Sequence, residues 1–284
     1  MAYYWLFAAV ISALLGVDHN RAWARYLGIA FLGASLAAMG LAFEGTALRL
    51  LPCVLLLAGM VAIDIVPIQP SRRTIAGLVI TLAALVVGLG WLGHFPAFSV
   101  YDGAVISVRY PNPLHISGRF DKGFAGCIVL LLIPLVESFQ SEKATPKSWW
   151  TVPASIVALA CFALGSGILK PDVKIPNEWQ RFVVSNILIS CAAEEALFRG
   201  VIFSSLMRLT ARLKSGYSAA VTIGVSTLLF TAVHGGPPAY LLLVFLVGLA
   251  CGFVRYKTGS VNASLMTHAG ANMVHFFLLS YPMP

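Results

Sequence analysis

Apolar runs long enough to cross a lipid bilayer alternate with short polar separators along the whole chain. A helix needs about 20 apolar residues to span a hydrocarbon core of about 30 Å. The pattern predicts six helices in the front of the chain, near residues 2–17, 25–43, 47–66, 74–95, 123–140 and 149–169. It predicts four more in the back, near residues 179–209, 217–234, 238–255 and 260–280. The expected fold class is all-α, a polytopic transmembrane helical bundle with about 8–10 spanning helices.

Two separators stand out from the short turns that join the other apolar runs. Residues 96–122 contain several prolines and the β-branched stretch Val105–Val108, which indicates a short strand or a loop on the membrane surface. The polar stretch 170–177 then divides the chain. We therefore expect an N-terminal transmembrane region, residues 1–175, and a C-terminal transmembrane region, residues 176–284.

Composition narrows the class of protein further. Apolar residues make up 59% of the 284 residues and charged residues 11%, whereas about a quarter of the residues in a soluble domain are charged. The net charge of +8 raises the question of nucleic acid, but the basic residues, Lys122 among them, are scattered between apolar runs and form no stripe. We expect a multi-pass protein of the cell membrane (inner or plasma membrane), surrounded by the lipid bilayer, with no nucleic-acid partner.

Two adjacent carboxylates, Glu194 and Glu195, lie with Arg199 inside an apolar run. An ionisable residue at the middle of a spanning helix costs about 2.5 to 3.5 kcal/mol, so such residues usually mark functional sites. At about 100° per residue, Glu195 and Arg199 share a helix face and Glu194 projects about a quarter-turn away. Arg199 is expected to hold Glu195 ionised, which leaves Glu194 without that cation and able to exchange protons. A purely structural ion pair is the alternative, but it does not explain Glu194.

Two later apolar helices carry further polar side chains. Phe230 and His234 are four residues apart, as are His268 and Asn272, so each pair shares a helix face. Taken singly, His234 is typical of an interfacial residue, and the second pair is typical of hydrogen bonding between helices. Together with a glutamate, these groups are the parts of a hydrolytic site, with a base for water and donors for an oxyanion.

A metal site is the other chemistry that these residues allow. Glu194, His234 and His268 form a ligand set suited to catalytic zinc. The helical HExxH signature that would favour zinc is absent from the sequence.

The three motifs resemble those of the type II CAAX prenyl endopeptidase and bacteriocin-processing family of intramembrane proteases, known as CPBP or Abi. The resemblance covers roughly residues 180–280. It rests on two glutamates followed by an arginine (Glu194 to Arg199), on FxxxH (Phe230 to His234) and on HxxxN (His268 to Asn272).

The resemblance implies a glutamic endopeptidase that needs no cofactor, with zinc as the alternative. Glu194 and His234 would activate water, and His268 with Asn272 would form the oxyanion site. Glu195, Arg199 and Phe230 would support that geometry. Residues 176–284 would then be the catalytic core, and residues 1–175 would lie outside the recognisable family core.

The implied reaction is hydrolysis of a peptide bond in a membrane-associated protein or peptide, either to mature it or to remove a C-terminal sorting or anchor segment. Two other functions fit buried glutamates and histidines: a proton-coupled transporter, and a non-catalytic immunity or scaffold protein. Against transport, the unusual polar residues lie in one half of the chain, and inverted repeats of broken helices are not evident. Against a scaffold, the set of motif residues is complete.

Four other residues are candidates for an alternative site. Asp64, His94 and Glu137 fall near predicted helix ends, where a charge reaches water easily, and are interpreted as interfacial. Cys191 lies three residues before Glu194, which would allow a thiol nucleophile. A plain buried cysteine is the more common case.

Overall fold

The computed structural model describes residues 1–19, 21–42, 47–93, 95–108, 111–136 and 148–281. Within these described residues, the front of the chain forms six helices, each of which overlaps one of the predicted apolar runs. They are α1 (Ala2–Val17), α2 (Ala22–Ala42), α3 (Ala47–Ile65), α4 (Pro70–Gly88), α5 (Phe120–Leu132) and α6 (Thr151–Gly165).

The back of the chain forms one long helix followed by three others. The long helix, α7, runs without a break over residues 179–209 and changes its winding along the way. The other three are α8 (Ser215–Ala232), α9 (Pro238–Thr258) and α10 (Val261–Leu278). The predicted all-α helical bundle is therefore confirmed.

Four of the described helices are long and apolar enough to cross a membrane, namely α2, α4, α8 and α9. Shorter apolar helical stretches cover Ala2–Val17, Leu50–Ile65 and Thr151–Gly165. Length and composition therefore support several membrane crossings, in line with the helical class that the sequence predicts. The full number of about 8–10 spanning helices stays a prediction.

A small β-hairpin interrupts the helices within the separator 96–122. Strand β1 (Phe98–Ala104) pairs with strand β2 (Leu114–Gly118). The predicted strand exists, but it ends before the stretch Val105–Val108, which the sequence favoured. Gly103 adopts a positive φ of 74° just before the strand ends, and the Ser107 hydroxyl instead donates to the carboxylate of Asp172.

The chain divides into two compact units. The first contains Met1–Phe98, Arg119–Ser141 and Leu188–Ser205, and the second contains Ser99–Gly118, Glu142–Ile187 and Leu206–Pro284. Helix α7 therefore gives its middle to the first unit and its two ends to the second. The sequence-based division at residues 175 and 176 follows a different criterion and stays a prediction.

Helix α5 is the central element of the first unit. Every one of its residues except Lys122 is buried, and a helix that is apolar all round is expected to be buried on all sides. It packs against helices α1 to α4 and against the middle of α7. The first unit is thus organised around one helix that is buried along its whole length except at Lys122.

An ion pair between two helices is buried in the first unit. Arg25 Nη2 of α2 donates to Asp64 Oδ1 of α3 over 2.8 Å, and the side chains are 10% and 6% exposed. Asp64 does lie near a helix end, but Arg25 provides its partner instead of water. His94 and Glu137 lie outside the described residues.

The second unit fixes α10 at its C-terminal end. The Phe182 and Phe276 rings stack with centroids 3.7 Å apart. The Lys174 backbone N–H donates to Phe277 O over 2.8 Å, and its ammonium donates to Asp172 and to Leu279 O. Burial lowers the pKa of Lys174, while the hydrogen bond to Asp172 opposes that shift. These contacts hold the helix that carries the second predicted histidine.

Candidate active site

The winding of α7 changes on both sides of the glutamate pair. Asn186–Cys191 and Ala196–Ile202 are π-helical, and the short α-helical segment Ala192–Glu195 lies between them. π-helical turns are rare and are found frequently at functional sites, since the widened turn redirects side chains. Glu194 and Glu195 close the α-helical segment, at the point where the winding changes.

Glu195 and Arg199 form the ion pair that their spacing predicts. Arg199 Nη1 lies 3.3 Å from Glu195 Oε1, and the side chains are 0% and 1% exposed. Loss of one member of such a pair leaves an uncompensated charge in an apolar interior, which is costly. The contact is therefore confirmed, and its burial points to a structural role.

Glu194 also has a cation partner, which the sequence did not indicate. Lys122 Nζ of α5 donates to Glu194 Oε1 over 2.7 Å. The two side chains are partly accessible, with exposures of 32% for Lys122 and 16% for Glu194. Helix periodicity gives no sign of this contact, because it reports only neighbours on the same helix, and this partner comes from another helix.

Close packing of glycine explains how α5 reaches Glu194. A Cβ atom added to Gly126 would lie 2.5 Å from the Cα atom of Ala193, the residue just before Glu194. Only glycine allows the backbones of α5 and α7 to approach this closely. Sequence reasoning placed Lys122 in a loop, and the available signal was one lysine at the start of an otherwise apolar run.

In the second unit, Phe230 brings the two predicted histidines to one aromatic ring. Its ring centroid lies 4.5 Å from that of His234 and 5.6 Å from that of His268, the latter in an edge-on arrangement. His234 lies just beyond the end of α8, and its Nδ1 atom is 2.7 Å from the backbone oxygen of Phe230. This contact fixes the orientation of the histidine ring. Phe230 is fully buried and His268 is 5% exposed.

Asn272 has a partner that the sequence did not indicate. Its side-chain amide donates to Asn186 Oδ1 over 3.3 Å. Asn186 begins the first π-helical segment of α7, eight residues before Glu194. An asparagine within an apolar helix was the signal that would have found it.

The predicted residues therefore fall into two sets. Glu194, Glu195 and Arg199 lie together in the first unit, and the second unit contains the set Phe230, His234, His268 and Asn272. Their individual roles stay predictions. Among the described residues, no group of three His, Cys, Asp or Glu side chains has a geometry that could hold a metal ion.

The apolar helices place this chain in the class of multi-pass membrane proteins. Within that class it is distinguished by ionisable side chains buried in α7. Residues 176–274 match the family described as Type II CAAX prenyl endopeptidase Rce1-like, which amounts to 99 of the 284 residues. The resemblance drawn from the three motifs is therefore confirmed for this part of the chain, and it indicates a protease. Neither a curated protein nor a solved structure matches the chain.

Proposed function

We propose that this protein is an intramembrane endopeptidase that hydrolyses a peptide bond of a membrane-associated protein or peptide. The observation that carries the proposal is the pair of adjacent glutamates in α7, inside the matched segment. Each carboxylate contacts a different cation, Lys122 for Glu194 and Arg199 for Glu195. Glu195 is enclosed with Arg199, whereas Glu194 remains partly accessible to water. A carboxylate that acts as general base on water must be reachable by water, and Glu194 meets that requirement.

In the proposed mechanism, Glu194 acts as general base together with His234. The carboxylate takes a proton from water, and the resulting hydroxide attacks the scissile carbonyl carbon. His268 and Asn272 donate hydrogen bonds to the oxyanion of the tetrahedral intermediate. The proton then passes to the leaving amine as the carbon–nitrogen bond breaks. The contact of Phe230 with both histidine rings supports a positioning role for this residue.

The proposed substrate is a protein or peptide held at the membrane. Cleavage would mature it or remove a C-terminal sorting or anchor segment. Residues 1–175 lie outside the matched segment, and we assign to them the selection of the substrate.

The test of this function compares the cell-envelope proteins of cells that make the wild type or Glu194→Ala. Terminal-peptide mass spectrometry should find a set of protein termini that is present with the wild type and absent with the variant. Glu178→Ala serves as the control, because Glu178 is half-exposed and lies before α7 begins. If no terminus distinguishes wild type from Glu194→Ala, the protein is not a protease in these cells.

A second test concerns metal dependence. We propose that Glu194 and His234 activate water without a cation, so cleavage by the purified protein should persist in strong chelators. The alternative is zinc held by Glu194, His234 and His268 with water in the fourth position. Stoichiometric zinc in the purified protein would establish that alternative, provided that its removal abolishes activity and its return restores it.

A further inference from the structure

Lys122 is the one residue of α5 that is not buried, and its ammonium reaches the proposed base. The Nζ to Oε1 distance of 2.7 Å is that of a charge-assisted hydrogen bond. Glu194 is only 16% exposed, so water screens this pair less than it screens a surface salt bridge. A lysine here therefore interacts with the Glu194 carboxylate more strongly than a fully exposed lysine would.

The backbone around Lys122 is held in place on three sides. Its own N–H donates to Asp121 Oδ1 over 3.0 Å. Arg119 pairs with that same carboxylate and donates to Gly88 O at the end of α4. Gly126, one helical turn further along α5, lies against the backbone of Ala193. The position of the lysine is therefore set by the packing of the unit, and Asp121, which is 1% exposed, is already engaged by Arg119.

We propose that Lys122 is a positioning residue of the protease site, which orients the Glu194 carboxylate and stabilises its charge. This inference rests on the proposed function. An ammonium that binds one carboxylate oxygen restrains the rotation of the group and thereby the direction of its other oxygen. Lys122 lies outside residues 176–274, so the front region of the chain contributes directly to the site.

The experiment measures kcat and KM for cleavage of a peptide identified by the terminal-peptide comparison. Lys122→Met and Lys122→Gln remove the charge, and the glutamine retains a hydrogen-bond donor. Both should lower kcat by about 10-fold to 100-fold, the effect of losing a hydrogen bond to a charged group, with little change in KM. Lys122→Arg should keep most of the activity. Lys170→Met, at an exposed position, controls for the loss of one positive charge.

Chemical rescue distinguishes a positioning role from a structural one, because an added amine would not restore kcat if the lysine only held the fold. Because the Lys122 side chain is 32% exposed, ethylammonium added to Lys122→Ala should reach the vacated position and restore part of kcat. Lys170→Met should show no response to ethylammonium.

Each contrary result has a definite meaning. Wild-type kcat in both neutral variants overturns the inference, and so does a rise in KM alone, which would make Lys122 a substrate-binding residue. Failure of both neutral variants to fold overturns it too, since the lysine would then be structural. The proposed function is tested separately by the terminal-peptide comparison: it fails if no terminus distinguishes the wild type from Glu194→Ala. An inactive Glu194→Gln beside fully active Lys122 variants removes only the role of Lys122.

Discussion

Glu194→Gln is expected to abolish peptide-bond hydrolysis while the protein remains folded. Glutamine has nearly the same shape, and its carbonyl oxygen still accepts a hydrogen bond from Lys122, which lies 2.7 Å from Glu194 Oε1. It cannot take a proton from water at neutral pH, so the general-base contribution of about 10²-fold to 10⁴-fold is lost. The measurement is kcat for the cleaved peptide, together with thermal unfolding in detergent.

Glu178→Gln is the matched control for this loss of activity. Glu178 pairs with Arg181 over 2.8 Å, and both side chains are more than half exposed. Its replacement should leave kcat unchanged. Cleavage at the wild-type rate by folded Glu194→Gln would show that another group acts as the base.

Glu195→Gln is expected to produce the largest loss of stability among the predicted changes. Glu195 and Arg199 are almost fully enclosed, with exposures of 1% and 0%. The substitution leaves the guanidinium buried without its counter-charge, which should lower the free energy of unfolding by about 3–5 kcal/mol. The double variant Glu195→Gln with Arg199→Met should recover part of that loss, because it removes the uncompensated charge as well.

The same substitutions in an exposed ion pair show how much of the stability loss is due to burial and how much to the loss of charge. Glu178→Gln, alone or with Arg181→Met, removes an exposed pair of similar length and should change the free energy of unfolding by about 0–1 kcal/mol. Unfolding in detergent, followed by circular dichroism, gives all four values. If Glu195→Gln proved stable but inactive while Glu194→Gln kept its activity, the roles of the two glutamates would be exchanged.

Most of the helical architecture could be predicted because bilayer-spanning helices leave a long, uniform apolar signal. Residues 2–17 coincide with α1, and residues 179–209 coincide with the uninterrupted helix α7. The hairpin was located less well. A strand pattern of a few residues is short. The positive φ of Gly103 near the end of β1 and the contact of Ser107 with Asp172 override it.

The sequence by itself determined the features that depend on local geometry. The spacing of Glu195 and Arg199 places them on one helix face whatever surrounds the helix, and the structure confirms their contact. The same reasoning applies to Phe230 and His234, whose rings lie 4.5 Å apart. The three ordered motifs likewise pointed to the family that residues 176–274 match.

Only the tertiary structure decided which residues from distant parts of the chain meet. Lys122 and Glu194 are 72 positions apart, and Asn186 and Asn272 are 86 positions apart. Helix periodicity contains no information about contacts between helices, because the packing of side chains and small residues selects them, as Gly126 against Ala193 illustrates. For this reason the contact of Lys122 with Glu194 could not be predicted from the sequence. The contact of Arg199 with Glu195 could be, because these two residues are one helical turn apart.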